Sequence, residues 1–399
     1  MQRIAVVAGP DAGHALPALG LSVALRQRGH DVRFLSGPDH LLVADSLDLA
    51  GDVLPLLGPT DQDDDLGHRL WRRAGEMAVP LAHQLKAWDP QLLVVDTITR
   101  AGAFAAQLLD RPWVELVPHH LDDPDPDLPP IGLGRRLARS PWRRYDDRRI
   151  LRAQARSLQL GVQQAGEVAT GLGLDAVAAP VLRLIATLPS LERDRRHWPS
   201  DAHVVGPLAL DLEGPELEVP AGRAPLVLVT DSTATGVHTH LGEVALQGLR
   251  DVGFRLVVTS DTLAPQREPG LVVGRGPHAP LLEAADVAVS PGGAGFMTKA
   301  AAHGVVQVVV PHQGDQREGA ARLVDTGAGR CLPLWRLTPQ RLRRNVRALI
   351  DDSRAASAAD ALRVEAARLS PCIAADLVEG VLAGQLPAAG SPTDHLRPF

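Results

Sequence analysis

Short apolar, β-branched runs recur along the chain, each followed by a turn and then by apolar residues at helical spacing. The first run, residues 3–8 (RIAVVA), predicts a buried strand. A turn holding Gly9 and Gly13 follows. Over 15–28 the apolar residues Leu16, Leu19, Leu21, Val23 and Leu25 predict a helix that Gly29 caps, and 31–35 starts a second strand. This β-loop-α-β order is the opening of a doubly wound sheet. It repeats as a strand over 91–95 ending at Asp96, a helix over 101–109 and a strand over 113–117. Residues 118–145, rich in Asp, Pro and Arg, predict a long loop, and 148–170 a helix.

The rhythm breaks at 206–225 (GPLALDLEGPELEVPAGRAP), where Gly, Pro and acidic residues predict a linker. A second series starts at 226–230 (LVLVT) and continues through 256–260, 271–273, 286–289 and 305–310. The expected organisation is therefore α/β, with a Rossmann-like half over 1–205, the linker, a second Rossmann-like half over 226–385 and a mobile tail over 386–399.

Composition narrows the function classes. The 399 residues suit two or three domains, and 45% hydrophobic with 22% charged residues suits a soluble protein with large cores. A net charge of -6 gives no footprint for nucleic acid or an anionic membrane. No apolar run is long enough to span a bilayer and no signal peptide is expected. Two cysteines, Cys331 and Cys372, offer neither a disulfide framework nor a metal spacing, which points to a reducing cytoplasm. Arginine almost replaces lysine, whose only instances are Lys86 and Lys299, and with the abundant Ala, Gly and Pro this suggests a high-GC bacterial source.

The densest chemistry lies in 286–329. A strand over 287–290 delivers the chain into Gly292, Gly293, Ala294 and Gly295, ahead of helix-forming residues 296–303. Glycines at such a turn let a ligand approach backbone N–H groups at a helix N-terminus, where anions are favoured; an ordinary strand-to-helix turn has the same composition. The next strand ends at Pro311 and leads to Asp315 and Gln316, which together can bond several sugar hydroxyls.

The pieces GGAG, GVVQVVVP, GDQ, AARLV and GAG occur in the order and spacing of the donor signature of UDP/dTDP-sugar-dependent glycosyltransferases, which the segment resembles. The opening GHALPALGLSVALRQRGHDVRFLSG and the stretch QLLVVDTITRAGAFAAQLLDRPWVELV are similar to the same family, especially to bacterial enzymes that glycosylate natural products. About two-thirds of the chain is covered; 36–85 and 120–200 match poorly. The resemblance implies the GT-B fold, two Rossmann-like domains facing a cleft. It implies an inverting transfer from a dTDP- or UDP-sugar to a hydrophobic, polyketide-like acceptor, with no metal or other cofactor. His14 would be the general base and Asp96 its partner. Ser232, Thr233, His278, the Gly292–Gly295 turn, Asp315 and Gln316 would bind the donor. A homodimer is compatible with it. Read without the family, His14 is a helix N-terminal histidine, Asp96 a helix cap, and His119 and His120 loop residues or a metal pair lacking a third ligand.

Departures cluster at the donor signature. Pro291 stands where the family has a diphosphate-binding His, Phe296 replaces a hydroxyl residue, Lys299 replaces a Glu and Gly319 an Asn; Arg275-Gly276-Pro277-His278 replaces an aromatic residue followed by Pro-Gln. Arg275, His278, Lys299 and His312 are candidates to restore positive charge. Two expectations follow: a working glycosyltransferase, or a GT-B protein that has lost sugar transfer and serves as a non-catalytic partner or acts differently on a biosynthetic intermediate.

Overall fold

In the first half, strands β1 (Arg3–Val7), β2 (Asp31–Ser36), β3 (Ala50–Val53), β4 (Leu92–Asp96), β5 (Trp113–Val117), β6 (Arg183–Ile185) and β7 (Ala202–Val204) form one sheet in the order β3-β2-β1-β4-β5-β6-β7. Every pairing in it is parallel. The apolar runs are continuous because helices cover both faces, so alternate residues of one strand serve two cores. Ile4, Val6, Leu92 and Val94 face one core, with Leu19 and Leu25 of the helix Ala12–Gln27. Ala5, Val7, Leu93 and Val95 face the other, with Phe104, Leu81 and Leu85.

These coordinates are a computed structural model that describes all residues except 56, 58–65, 211–213, 232–239, 313, 370 and 386–399. The second half repeats the design with β8 (Leu226–Thr230), β9 (Arg255–Thr259), β10 (Gln266–Glu268), β11 (Leu271–Gly274), β12 (Val287–Ser290), β13 (Val306–Val309) and β14 (Gly329–Cys331). The order is β10-β11-β9-β8-β12-β13-β14, parallel except for the edge strand β10. In both sheets the strand order reverses beside the first strand, β1 or β8, and such reversals open a crevice at the carboxyl ends of the strands. The turns after β1, β4, β12 and β13 lie at those ends, and they carry His14, Asp96, the glycine turn and Asp315.

Three features depart from the sequence expectations. The loop predicted over 118–145 stops at Ser140, whose hydroxyl accepts from Arg143 N and starts the helix Pro141–Gly171, with Pro at its first position. Its first turns are mostly exposed and rich in Arg and Asp, so no apolar stripe marks them. The short strands β6 and β7 and the helix Pro38–Ser46 carry no clear pattern, whereas Leu66–Lys86, likewise absent from the expected elements, is amphipathic and buries Ala74, Ala78, Leu81 and Leu85. Finally, the helix Pro371–Leu382 lies against the first half rather than the second. Ala374, Ala375 and Val378 join the core around Leu19 and Leu25. Arg28 pairs with Asp376 at 2.5 Å and Glu379 at 2.6 Å, and His30 with Glu379 at 2.9 Å. The expected tail over 386–399 lies outside the described residues. Among the described residues no helix is long and apolar enough to cross a membrane.

Candidate active site

His14 stands in the first turn of the helix Ala12–Gln27, just beyond β1. Asp96 ends β4, the neighbouring parallel strand. Parallel pairing therefore brings the two ends together: His14 Nδ1 lies 2.6 Å from Asp96 Oδ1. The carboxylate is buried, and its second oxygen accepts from Thr99 Oγ1 at 2.9 Å and Ile98 N at 3.3 Å. Asp96 is thus held at both oxygens. It does not cap the next helix, whose N-cap is Arg100. With Nδ1 engaged, Nε2 is the nitrogen left to exchange a proton. Burial disfavours the imidazolium, but the Asp96 hydrogen bond and charge, helped by Asp11 and Asp315, outweigh it, so the His14 pKa is raised above its ordinary value of 6.5.

The second half meets this pair across a cleft of about 330 Å³. His14, His119, Asp231, His278, Lys299, Asp315 and the glycine turn line it together. The turn has a local cause. Gly292 has φ +88°, and a Cβ there would lie 2.5 Å from Val309 Cγ1. Its N–H is taken by the Ser290 hydroxyl at 3.2 Å. Beyond it, a Cβ on Gly293 or Gly295 would meet nothing within 4 Å, so the backbone opens to the cleft. The helix Ala294–Ala302 starts there with Gly293 as N-cap and no side-chain cap, which leaves its first N–H groups and its dipole for an anion.

The helix Gly314–Thr326 contributes Asp315 and Gln316. Asp315 is exposed to the cleft and acts electrostatically on His14, so the two halves converge. Gln316 is buried, with Oε1 accepting from His312 N at 2.9 Å. Ser232 and Thr233 lie outside the described residues. Ala294 and Gly295 line the cleft, as does His278.

The departures from the donor signature turn out to be mutually fitted. Phe296 packs edge-on against the His278 ring, with centroids 5.0 Å apart, and His278 Nε2 meets Thr259 Oγ1 at 3.0 Å. Gly319 is buried, and a Cβ there would lie 2.8 Å from Met297 Cε, so Met297 occupies the room that a longer side chain would need. Lys299 lines the cleft and donates to Leu210 O at 3.3 Å, which ties the helix to the linker. Arg275 instead pairs with Asp261 at 2.6 Å on the exposed surface. His119 donates from Nδ1 to His120 O at 2.7 Å, and among the described residues no group of three or more His, Cys, Asp or Glu is arranged to hold a metal. Thr99 and Asp231 were not singled out in the sequence. Thr99 is readable only as a hydroxyl three residues after a strand-end Asp; Asp231 accepts from Gly242 N at 3.0 Å and leaves no comparable trace.

Residues 265–380 match the family described as Erythromycin biosynthesis protein CIII-like, C-terminal domain. Over 95% of this chain and 99% of the relative, the sequence is 28% identical to the 4'-demethylrebeccamycin synthase of Lentzea aerocolonigenes. It is 27% identical to the L-demethylnoviosyl transferase of Streptomyces niveus, over 83% of this chain and 85% of that one. The solved structure of CalG4, the calicheamicin glycosyltransferase, superimposes with a TM-score of 0.75 at 21% identity, over 96% of this chain and 99% of that one. In sequence and in fold the chain is similar to the GT-B glycosyltransferases. The cleft between the two sheets is accordingly the glycosyltransferase's candidate active site, and its relatives act in natural-product biosynthesis.

Proposed function

We propose that this glycosyltransferase moves a sugar, with inversion and without a metal, from a dTDP- or UDP-sugar to a hydroxyl of a hydrophobic natural product. The observation that carries the reading is the buried His14–Asp96 pair, 2.6 Å apart, opening on the same cleft as an uncapped helix N-terminus and Asp315. His14 Nε2 takes the acceptor proton as the acceptor oxygen bonds to the anomeric carbon and the bond to the nucleoside diphosphate breaks. Asp96 stabilises the imidazolium that forms and fixes the tautomer. The departing diphosphate carries its charge to the N–H groups of the helix Ala294–Ala302, with Lys299 beside them. Asp315 accepts from sugar hydroxyls, and Gln316 stands beside it on the same helix. Leu16, Pro17 and Leu208 give the acceptor an apolar wall. Two exposed free cysteines suit a cytoplasmic setting.

Incubation with a panel of dTDP- and UDP-sugars and aromatic or polyketide acceptors, followed by mass spectrometry, tests this. A glycoside that disappears with His14→Ala is the expected result. Absence of any nucleotide binding at millimolar concentration in calorimetry would reject it. That rejection would favour the second reading, a GT-B protein that has lost sugar transfer, for which the observation is the Phe296–His278 contact inside the cleft and the loss of the side-chain donor at Pro291.

A further inference from the structure

The helix Gly314–Thr326 starts at the cleft with Asp315 and runs into the junction between the halves, where it presents Glu318, Arg322 and Asp325 at turn spacing. There two acids and two arginines meet. Arg322 contacts Glu192 at 2.7 Å and Glu318 at 3.1 Å, and Arg193 contacts Glu318 at 3.0 Å. Their side chains are 7% exposed at most. Glu192 and Arg193 belong to the first half, just past the 3-10 turn Pro189–Leu191, whereas Glu318 and Arg322 belong to the second.

The contacts are directional and reach backbone on the first-half side. Arg322 donates to Leu191 O at 3.2 Å and Leu121 O at 3.3 Å. Glu192 accepts from Leu121 N at 2.7 Å, and Arg193 donates to Arg135 O at 2.7 Å. A second contact holds the other end of the helix. Gly134, at φ +61°, lies so close that a Cβ would be 2.7 Å from Arg317 O, and Gly132 lies against Gly314. Removing four charges from water is costly, and an apolar patch of equal size binds as well or better. Stability alone does not account for such a cluster. What charges and fork-shaped guanidinium groups add over apolar contact is a single permitted geometry.

We propose that Glu192, Arg193, Glu318 and Arg322 are positioning residues: they set the register and angle at which the helix Gly314–Thr326 meets the first half, and thereby the placing of Asp315 against His14. This rests on the glycosyl-transfer reading. The cluster touches neither the donor nor the acceptor; it acts through the helix.

The test uses the full chain with the four residues made apolar (Glu192→Leu, Arg193→Met, Glu318→Leu, Arg322→Met), and separately Arg322→Lys, which keeps the charge but loses the fork. Donor and acceptor KM are measured apart. Spin labels on Leu42→Cys and Trp335→Cys, both exposed, report the distance between the halves in a Cys331→Ser, Cys372→Ser background. The apolar variant is expected to melt no lower than the parent. Its kcat/KM for the donor falls about a hundredfold, the cost of an ångström-scale misplacement. Its acceptor KM stays within about twofold, and its distance distribution broadens. Arg322→Lys falls between, and decides alone if the apolar variant does not fold. Unchanged donor kcat/KM with an unchanged distribution overturns the proposal, as does a parallel rise of both KM values with a lower melting temperature. If the parent transfers no sugar from any donor, the glycosyl-transfer reading fails. The distance distribution then judges the cluster by itself, broadening supporting it and constancy overturning it.

Discussion

The two sides of the cleft are built by different rules. On the first-half side a short constellation is complete: β1 and β4 are neighbours, His14 and Asp96 end up 2.6 Å apart, and Thr99 holds the far oxygen of the carboxylate. On the second-half side the glycine turn is kept while the side chains around it are replaced in matched sets, Phe296 with His278 and Met297 with Gly319. Where a proton must move, geometry tolerates little change. Where, on the proposed reading, a diphosphate is seated, backbone N–H groups survive almost any side-chain replacement, so the side chains are free to be exchanged.

The sharpest way to break this contrast is His14→Ala. If His14 is the general base proposed above, its loss lowers kcat/KM by about 10²–10⁴, measured under saturating donor. If the loss is only a few-fold, the first-half side is no more demanding than the second. Asp96→Asn comes next, lowering kcat/KM at neutral pH by about tenfold to a hundredfold, since one charge-assisted hydrogen bond contributes about 1.5–3 kcal/mol. It also moves the pH profile. His14 must be neutral to accept a proton, so activity in the parent rises with pH through a pKa above 6.5. Without the carboxylate, burial is left to dominate and the acid limb shifts to lower pH. The sign for stability is opposite: the ion pair stabilises fully below the unfolded pKa and is lost as pH climbs through the raised folded one. The melting-temperature gap between parent and Asp96→Asn should therefore narrow from pH 5 to pH 9, about the range where histidine titrates.

On the second-half side, Gly292→Ala should lower stability by about 1–3 kcal/mol, since it combines a left-handed φ with a clash on Val309, and a chemical melt reads the shift. The smallest effect expected is that of Lys299→Met. It raises donor KM about tenfold at low salt and less at high salt, as a partly solvated charge on a diphosphate should. A large, salt-insensitive loss would mean that Lys299 acts through its bond to Leu210 instead.

How much of this was legible in the sequence follows from range. The strands 113–117 and 226–230 are marked by their own apolar residues, and the observed strands Trp113–Val117 and Leu226–Thr230 have those bounds. The roles of His14 and Asp96 were legible only through the family resemblance; their meeting from 82 residues apart follows from strand ends converging in a doubly wound sheet. By contrast, the replacements at Phe296 and Gly319 could be seen as differences, but their partners His278 and Met297 emerge only once helices pack. Arg322 and Glu192 lie 130 residues apart in segments without periodicity, and nothing local foretells that both are buried. Three-residue strands such as β6 are equally silent, because so few side chains show no alternation.

The helix Pro371–Leu382, which returns to the first half, has a consequence for how the two halves are tethered. The chain passes between the halves at the linker and again ahead of Pro371, so two covalent crossings join the halves. The second crossing is anchored by Val378 in the first core and by the Arg28 clamp, so pulling the halves apart would have to break that anchorage as well as the buried contacts of Arg322.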